Sequence, residues 1–188
     1  MSRIEPAVAE TATPAEAEAL DTIKAAFGAA PNLWSVVARS SAMTTGLLGL
    51  DGALKSGVFS VAVAEQLAIA VAHENRCPYC LAAHTAVGRM LGLDEQSVSD
   101  ARAARSSDPK VEAALQFVLA VVRERGFVSD AQLEAVREAG WDDGAIVELV
   151  GHAIENTFTN YLYHVSEVPV DFPEVAFAED EEAARITA

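Results

Sequence analysis

The sequence predicts an all-α fold, and three observations carry that expectation. Hydrophobic residues make up 51% of the 188 residues but aromatic residues only 6%, so Ala, Val and Leu must fill the interior, a selection that suits packed helices better than a β-sandwich. Apolar positions recur at helical spacing, most clearly at Val111, Ala114, Leu115, Val118, Val121 and Val122. Residues suited to helix caps and stops punctuate the chain throughout, and no stretch alternates convincingly as a strand.

Taken in order, Thr13-Pro14-Ala15-Glu16 offers a cap, a proline at the first helical position and a glutamate three residues after the cap, which predicts a helix from Pro14 to Phe27 ending at Gly28. Leu33 to Leu54 is apolar on several faces and interrupted by Ser40, Ser41 and Gly46, which predicts one bent helix or two short ones. Ser60 caps a helix with Val61, Ala64, Leu67, Ala68 and Val71 on one face, Glu65 near its middle and Asn75 near its end. Pro78 suits the first turn of a helix that stops at Gly92, with Cys77 at or near its cap and Cys80 in its first turn. Asp94 heads a short helix, Ser106-Ser107-Asp108-Pro109 launches the strongly periodic one, and Ser129 and Asp142 head two more, the last running to about His164. The expected architecture has seven or eight helices, with a flexible arm over residues 1–12, a helical domain over 13–175 and an acidic tail over 176–188 that has little apolar content with which to dock. A fainter echo, in which Glu65, Glu74-Asn75 and His84 recur as Glu148, Glu155-Asn156 and His164, suits a duplicated helical unit.

Twenty-eight acidic residues against thirteen Lys plus Arg give a formal charge of −15, which repels a phosphate backbone and an anionic membrane surface. Nucleic acid and membrane are therefore not expected partners. The N-terminus lacks the basic start and apolar run of a signal peptide, and no apolar segment reaches the roughly 18 residues needed to span a bilayer, so the expected location is the cytoplasm. In a reducing compartment two thiols separated by two residues point to catalysis or metal binding more than to structure.

The chemistry concentrates in Asn75-Arg76-Cys77-Pro78-Tyr79-Cys80-Leu81-Ala82-Ala83-His84. Cys80 and His84 are four residues apart and share a helix face, with Cys77 one turn earlier at the helix start. Unpaired N–H groups and the positive end of the helix dipole favour thiolate there. An imidazole can take the thiol proton and deliver a proton to a leaving oxygen, and a companion thiol can attack a sulfenic acid to give a disulfide that another dithiol reduces.

Glu65, the eleven residues that follow it, Cys77-Pro78-Tyr79-Cys80 and His84 together resemble the active-site signature of the alkylhydroperoxidase-D-like family within the carboxymuconolactone decarboxylase superfamily. Pro31-Asn32-Leu33-Trp34, Leu50-Asp51-Gly52-Ala53-Leu54 and the stretch from Asn156 to Pro173 resemble its peroxidase-related branch, so the likeness covers roughly residues 28–175. The resemblance implies an all-helical fold, an oligomer, and a thiol-dependent peroxidase in which Cys80 is peroxidatic, Cys77 resolves it, and Glu65 and His84 relay protons. It implies no bound cofactor or metal; hydroperoxide is the substrate and an external dithiol protein or small thiol the reductant. One departure stands out: Tyr79 occupies the position of a second relay histidine between the cysteines, and a phenol is a poor base at neutral pH although it can donate a hydrogen bond.

Other readings of the same residues are a structural disulfide, which across so short a loop restrains the unfolded chain little, and a helical interaction protein holding zinc through Cys77, Cys80 and His84, which lacks a fourth ligand unless His73 supplies one. A thiol-disulfide oxidoreductase without efficient peroxidase activity uses the same pair. A decarboxylase would leave both thiols without a task. His73, His152 and His164 are expected to pack, cap or line an interface, and Trp34, Phe59 and Phe158 to serve as core or subunit contacts. Leu33 to Leu54, apolar on more than one face, predicts burial between subunits of a dimer, trimer or hexamer.

Overall fold

The computed structural model describes residues 2–177. Among these are nine α-helices and no strand: α1 (Pro14–Phe27), α2 (Asn32–Val37), α3 (Ser41–Lys55), α4 (Val61–Glu74), α5 (Pro78–Met90), α6 (Glu95–Arg102), α7 (Pro109–Arg123), α8 (Asp130–Glu138) and α9 (Asp143–Ser166). The count exceeds the expected seven or eight, and the segment Leu33 to Leu54 does divide in two. Its break is local chemistry: the Ser40 hydroxyl accepts from the Met43 N–H at 3.3 Å and starts α3 afresh. The Thr13 capping box forms as expected, and Gly28 closes α1 in the left-handed conformation at φ 78°.

At the centre lies α4, packed on α5, α6, α7 and α9. The sequence predicts one apolar face, yet Leu67 to Ala72 is buried without interruption, as an all-round apolar run requires. One core cluster joins α4 to α7 and α9 through Leu67, Val71, Leu115, Val118 and Leu149. A second, on the other side of α4, holds Leu33, Ile69, Leu81 and both cysteines.

Both termini are laid onto this frame. The N-terminal segment, expected to be mobile or bound to a partner, buries Ala7 and is fixed by Arg3 N–H to Ser166 C=O at 2.6 Å and Ala7 N–H to Ser35 C=O at 2.9 Å. The Arg39 guanidinium also donates to the carbonyls of Glu5 and Pro6 at 2.9 and 3.1 Å. Beyond α9, Val168, Val170, Phe172, Val175 and Phe177 pack as a strap on the cysteine-containing cluster. The tail from residue 176 was expected to have little apolar content with which to dock; its Phe177 is buried, with the His73 ring at 5.7 Å and the Arg76 guanidinium 4.7 Å above its face. The rest of the expected acidic tail, residues 178–188, lies outside the described residues.

The two copies in the sequence echo lie side by side, since α4 packs along α9, but α4 and α5 are separated by a break where α9 continues for 24 residues, about 36 Å. The apolar residues of Leu33 to Leu54 that were expected to need a partner subunit are largely satisfied within the chain, Leu33, Val36, Val37, Leu47 and Leu54 all being buried. Unpartnered apolar surface lies instead on α9, where Val147, Val150, Ile154, Tyr161 and Val165 are exposed along one stripe. Among the described residues no helix is long and apolar enough to cross a membrane.

Candidate active site

The junction between α4 and α5 places the two cysteines. α4 ends in a double turn in which Arg76 N–H donates to His73 C=O at 3.1 Å and Cys77 N–H to Ala72 C=O at 2.9 Å, with Arg76 in the left-handed region at φ 50°. A non-glycine residue there is strained by a kcal/mol or so. The turn has a consequence: the residue closing α4 is also the one that caps α5. Cys77 is the N-cap, Pro78 follows at the first helical position, and the Cys80 N–H donates to Cys77 Sγ at 3.2 Å. Cys77 and Cys80 are joined as a disulfide, with Cα atoms 5.4 Å apart and both residues buried. The same N–H that caps the helix therefore points at sulfur, where it stabilises negative charge whenever Cys77 leaves as thiolate.

One turn beyond Cys80, His84 Nδ1 lies 2.8 Å from Glu65 Oε2. Glu65 comes from the first half of α4, nearly buried, while the His84 side chain is 29% exposed and forms the solvent-facing edge of the cluster. A carboxylate only accepts, so Nδ1 carries the hydrogen of this bond and Nε2 is the ring nitrogen left outside it. Burial alone lowers the basicity of His84, but the charge and hydrogen bond of Glu65 outweigh it and hold the imidazole above its ordinary pKa.

Tyr79 does something different from a relay histidine. Its hydroxyl donates to Asp171 Oδ1 at 2.6 Å and accepts from the Leu33 N–H at 3.1 Å, and Asp171 Oδ2 accepts from the Asn32 N–H at 2.8 Å. Burial and the neighbouring carboxylate push the phenol far above its ordinary pKa. The ring lies among Tyr163 and Phe172. Tyr79 thus ties the cysteine segment to the start of α2 and to the C-terminal strap, and its oxygen is engaged in those two bonds.

The remaining histidines have local roles. His164 Nε2 is 2.9 Å from the Asn75 carbonyl at the end of α4. His152 is buried edge-on to Phe59 at 5.5 Å and is held below its ordinary pKa by burial. Phe59 and Trp34 belong to the core, against Trp141 and Phe27 respectively. Among the described residues no group of three or more His, Cys, Asp or Glu side chains is arranged to hold a metal ion.

Two residues near the site carried no functional reading in the sequence. Glu155, on α9, is half-buried, and burial together with the charge of Asp51 raises its carboxyl to about 7; its only sequence signal is the echo of Glu74-Asn75 in Glu155-Asn156. Asp171, partner of Tyr79, is 92 residues away along the chain, a separation no local pattern encodes.

Residues 42–124 match the model of the carboxymuconolactone decarboxylase family, a segment that contains Glu65, Cys77, Cys80 and His84. Over that segment the chain is similar to the carboxymuconolactone decarboxylase family. Its all-helical fold is alkylhydroperoxidase-D-like. An uncharacterized peroxidase-related protein from Ralstonia eutropha JMP134 with an alkylhydroperoxidase AhpD core superposes with a TM-score of 0.78 and 20% identity, over 90% of this chain and 92% of that one. A peroxidase-related protein from Silicibacter sp. TM1040 gives 0.72 and 20%, over 92% and 93%. A cysteine-to-alanine variant of the debrominase Bmp8, in complex with 2,3,4-tribromopyrrole, gives 0.74 and 13%, over 98% and 97%. At these identities the likeness is one of fold. No curated protein matches the chain.

Proposed function

We propose that the protein is a thiol-dependent peroxidase that reduces hydroperoxides through Cys80, with Cys77 as the resolving thiol and Glu65 and His84 as proton relay. The observation that carries this reading is the Glu65–His84 pair at 2.8 Å, one helical turn from a cysteine pair close enough to be disulfide-bonded. In the first step Cys80 thiolate attacks the terminal oxygen of the hydroperoxide, forming a sulfenic acid and releasing alcohol, while His84 Nε2 returns the thiol proton to the departing oxygen. The Cys77 thiol then displaces water from the sulfenic acid, giving the disulfide. Two thiols of an external dithiol restore the starting state and become a disulfide themselves. No metal or organic cofactor takes part, and the chemistry proceeds in the cytoplasm.

A second reading has one specific support: the Tyr79 hydroxyl, engaged by Asp171 and the Leu33 N–H, is not free to relay protons, and a thiol-disulfide oxidoreductase can do without a second relay group. Titration of the dithiol protein with hydrogen peroxide and an organic hydroperoxide separates the two. Peroxidase chemistry consumes two thiols and yields one alcohol per hydroperoxide. Two thiols surviving the titration, alongside rapid exchange with dithiol substrates, support the second reading. We also propose that the exposed α9 stripe joins copies of the chain into a homo-oligomer, its dimer, trimer or hexamer state to be read by light scattering; a monomer at micromolar concentration contradicts it.

A further inference from the structure

We propose that the C-terminal strap, residues 168–177, is the gate through which the dithiol reductant reaches the Cys77–Cys80 disulfide: the strap lifts while the helices stay folded, and its opening sets the rate of reduction. The inference deepens the peroxidase reading and rests on it for the presence of an external dithiol.

With the strap seated, neither cysteine is open to a partner. Cys77 is 0% and Cys80 2% exposed, and both belong to one apolar cluster with Val168 and Phe177, against which Val170, Phe172 and Val175 pack. The strap also holds the residues on either side of Cys77. The Arg76 guanidinium stands 4.7 Å from the centre of the Phe177 ring, while Tyr79 donates to Asp171 at 2.6 Å and meets Phe172 edge-on at 5.6 Å. Thiol-disulfide exchange requires a sulfur of the reductant to touch a sulfur of the disulfide, so the pair has to be uncovered before a dithiol can react.

The strap is attached in a way that lets it lift. Its near end is a fixed point: Ser166 is fully buried and its carbonyl accepts from the Arg3 N–H at 2.6 Å, and Glu167 then turns the chain out of α9 in the left-handed conformation at φ 49°. From Val168 to Phe177, among the described residues, no backbone group bonds to another backbone group. Each polar tie has a side chain at one end: Asn32 Nδ2 to the Pro169 carbonyl at 3.1 Å, the Asn32 N–H and the Tyr79 hydroxyl to the Asp171 carboxylate, and the Arg102 guanidinium to the Ala176 carbonyl at 3.3 Å. These groups pass to water when the strap lifts and no helix hydrogen bond is broken, so opening costs less than unfolding. In the open state a thiolate of the reductant attacks Cys77 Sγ, the S–S bond breaks, and Cys80 leaves as thiolate one turn before His84. The second thiolate of the reductant then attacks the sulfur now bonded to Cys77 and closes its own disulfide. Cys77 leaves as thiolate, met by the Cys80 N–H that lies 3.2 Å from its sulfur. The dithiol is oxidised, the cysteine pair is reduced, and the two thiol protons of the reductant end on Cys77 and Cys80.

The test uses the full chain, its disulfide formed with diamide, and dithiothreitol as the dithiol; acid quenching, alkylation and mass spectrometry count the thiols released. Phe177→Ala and Asp171→Ala are each expected to speed reduction about tenfold or more, because each loosens the strap in its seat. Leu115→Ala, in the other core cluster, lowers the stability of the whole fold and should speed reduction less than about threefold. In the wild type, urea below the unfolding transition should raise the reduction rate with a slope less than about half the equilibrium m-value. Unchanged reduction in both folded strap variants, equal acceleration by Leu115→Ala, or a urea slope equal to the full m-value overturns the proposal. Hydroperoxide that leaves the reduced wild-type thiols intact, while the strap variants still speed reduction, overturns the peroxidase reading and leaves the gate supported.

Discussion

Replacing Tyr79 with Phe removes one oxygen from the centre of the cysteine segment and leaves the ring contacts with Tyr163 and Phe172 in place. Two hydrogen bonds go with it. The bond to Asp171, at 2.6 Å to a carboxylate, is of the charge-assisted kind that contributes about 1.5–3 kcal/mol. The Leu33 N–H, which donates to the same oxygen at 3.1 Å, is left in the first turn of α2 with its partner gone, at a cost of about 1–3 kcal/mol if no water replaces it. Asp171 keeps the Asn32 N–H, which limits its own loss. The expected destabilisation is about 2–4 kcal/mol, or a fall in Tm of about 5–12 °C for a chain of this size. Urea unfolding followed by circular dichroism measures it, with Asp171→Asn and the double variant completing a cycle whose coupling should account for most of the effect. The rate of Cys80 oxidation in the folded variant should stay within about threefold of the wild type. A stability change below about 0.5 kcal/mol, or a tenfold loss of rate in a fully folded variant, refutes the assignment of Tyr79 as a tie rather than a relay.

Further expectations follow from the same geometry. His84 has a raised pKa in the folded chain, so its pairing with Glu65 stabilises the fold fully below the unfolded pKa of histidine and loses that contribution as pH rises through the folded value; Glu65→Gln should therefore cost about 1–2 kcal/mol at pH 5.5 and markedly less at pH 9, by denaturant unfolding at both pH values. Glu155 contributes with the same sign, since a carboxyl raised to about 7 favours the folded state less as pH climbs from 5 to 8, and Glu155→Gln should flatten that decline. Because the disulfide spans a sequence separation of only three, Cys77→Ser/Cys80→Ser should lose no more than about 2 kcal/mol relative to the oxidised protein, checked by thermal unfolding.

The parts of the fold legible in the sequence are those fixed by local chemistry. Thr13, Ser60, Asp94, Ser129 and Asp142 each cap a helix at the residue that was expected, because a cap is a hydrogen bond between residues two or three apart. Cys77 belongs to the same class: Pro78 after it and the end of α4 before it suffice to locate it as a cap. What escaped was decided at long range. All-round burial of α4 depends on helices arriving from both sides. The partner of the Tyr79 hydroxyl sits on the strap beyond α9, and Phe177 finds His73 and Arg76 only after the chain has folded back. Glu155 resembles any glutamate on an amphipathic helix until burial on α9 and the charge of Asp51 raise its carboxyl to about 7.

Stopped-flow oxidation of the reduced protein with hydrogen peroxide and an organic hydroperoxide, comparing wild type, Cys77→Ser and Cys80→Ser, decides whether Cys80 is the nucleophile and Cys77 its resolving partner. Cys77→Ser is expected to consume one hydroperoxide and to accumulate a sulfenic acid on Cys80 that a 1,3-dione can trap. The wild type should proceed to the disulfide, and Cys80→Ser should react at the slow rate of an unactivated thiol. A Cys80→Ser variant that reacts as fast as the wild type contradicts that assignment.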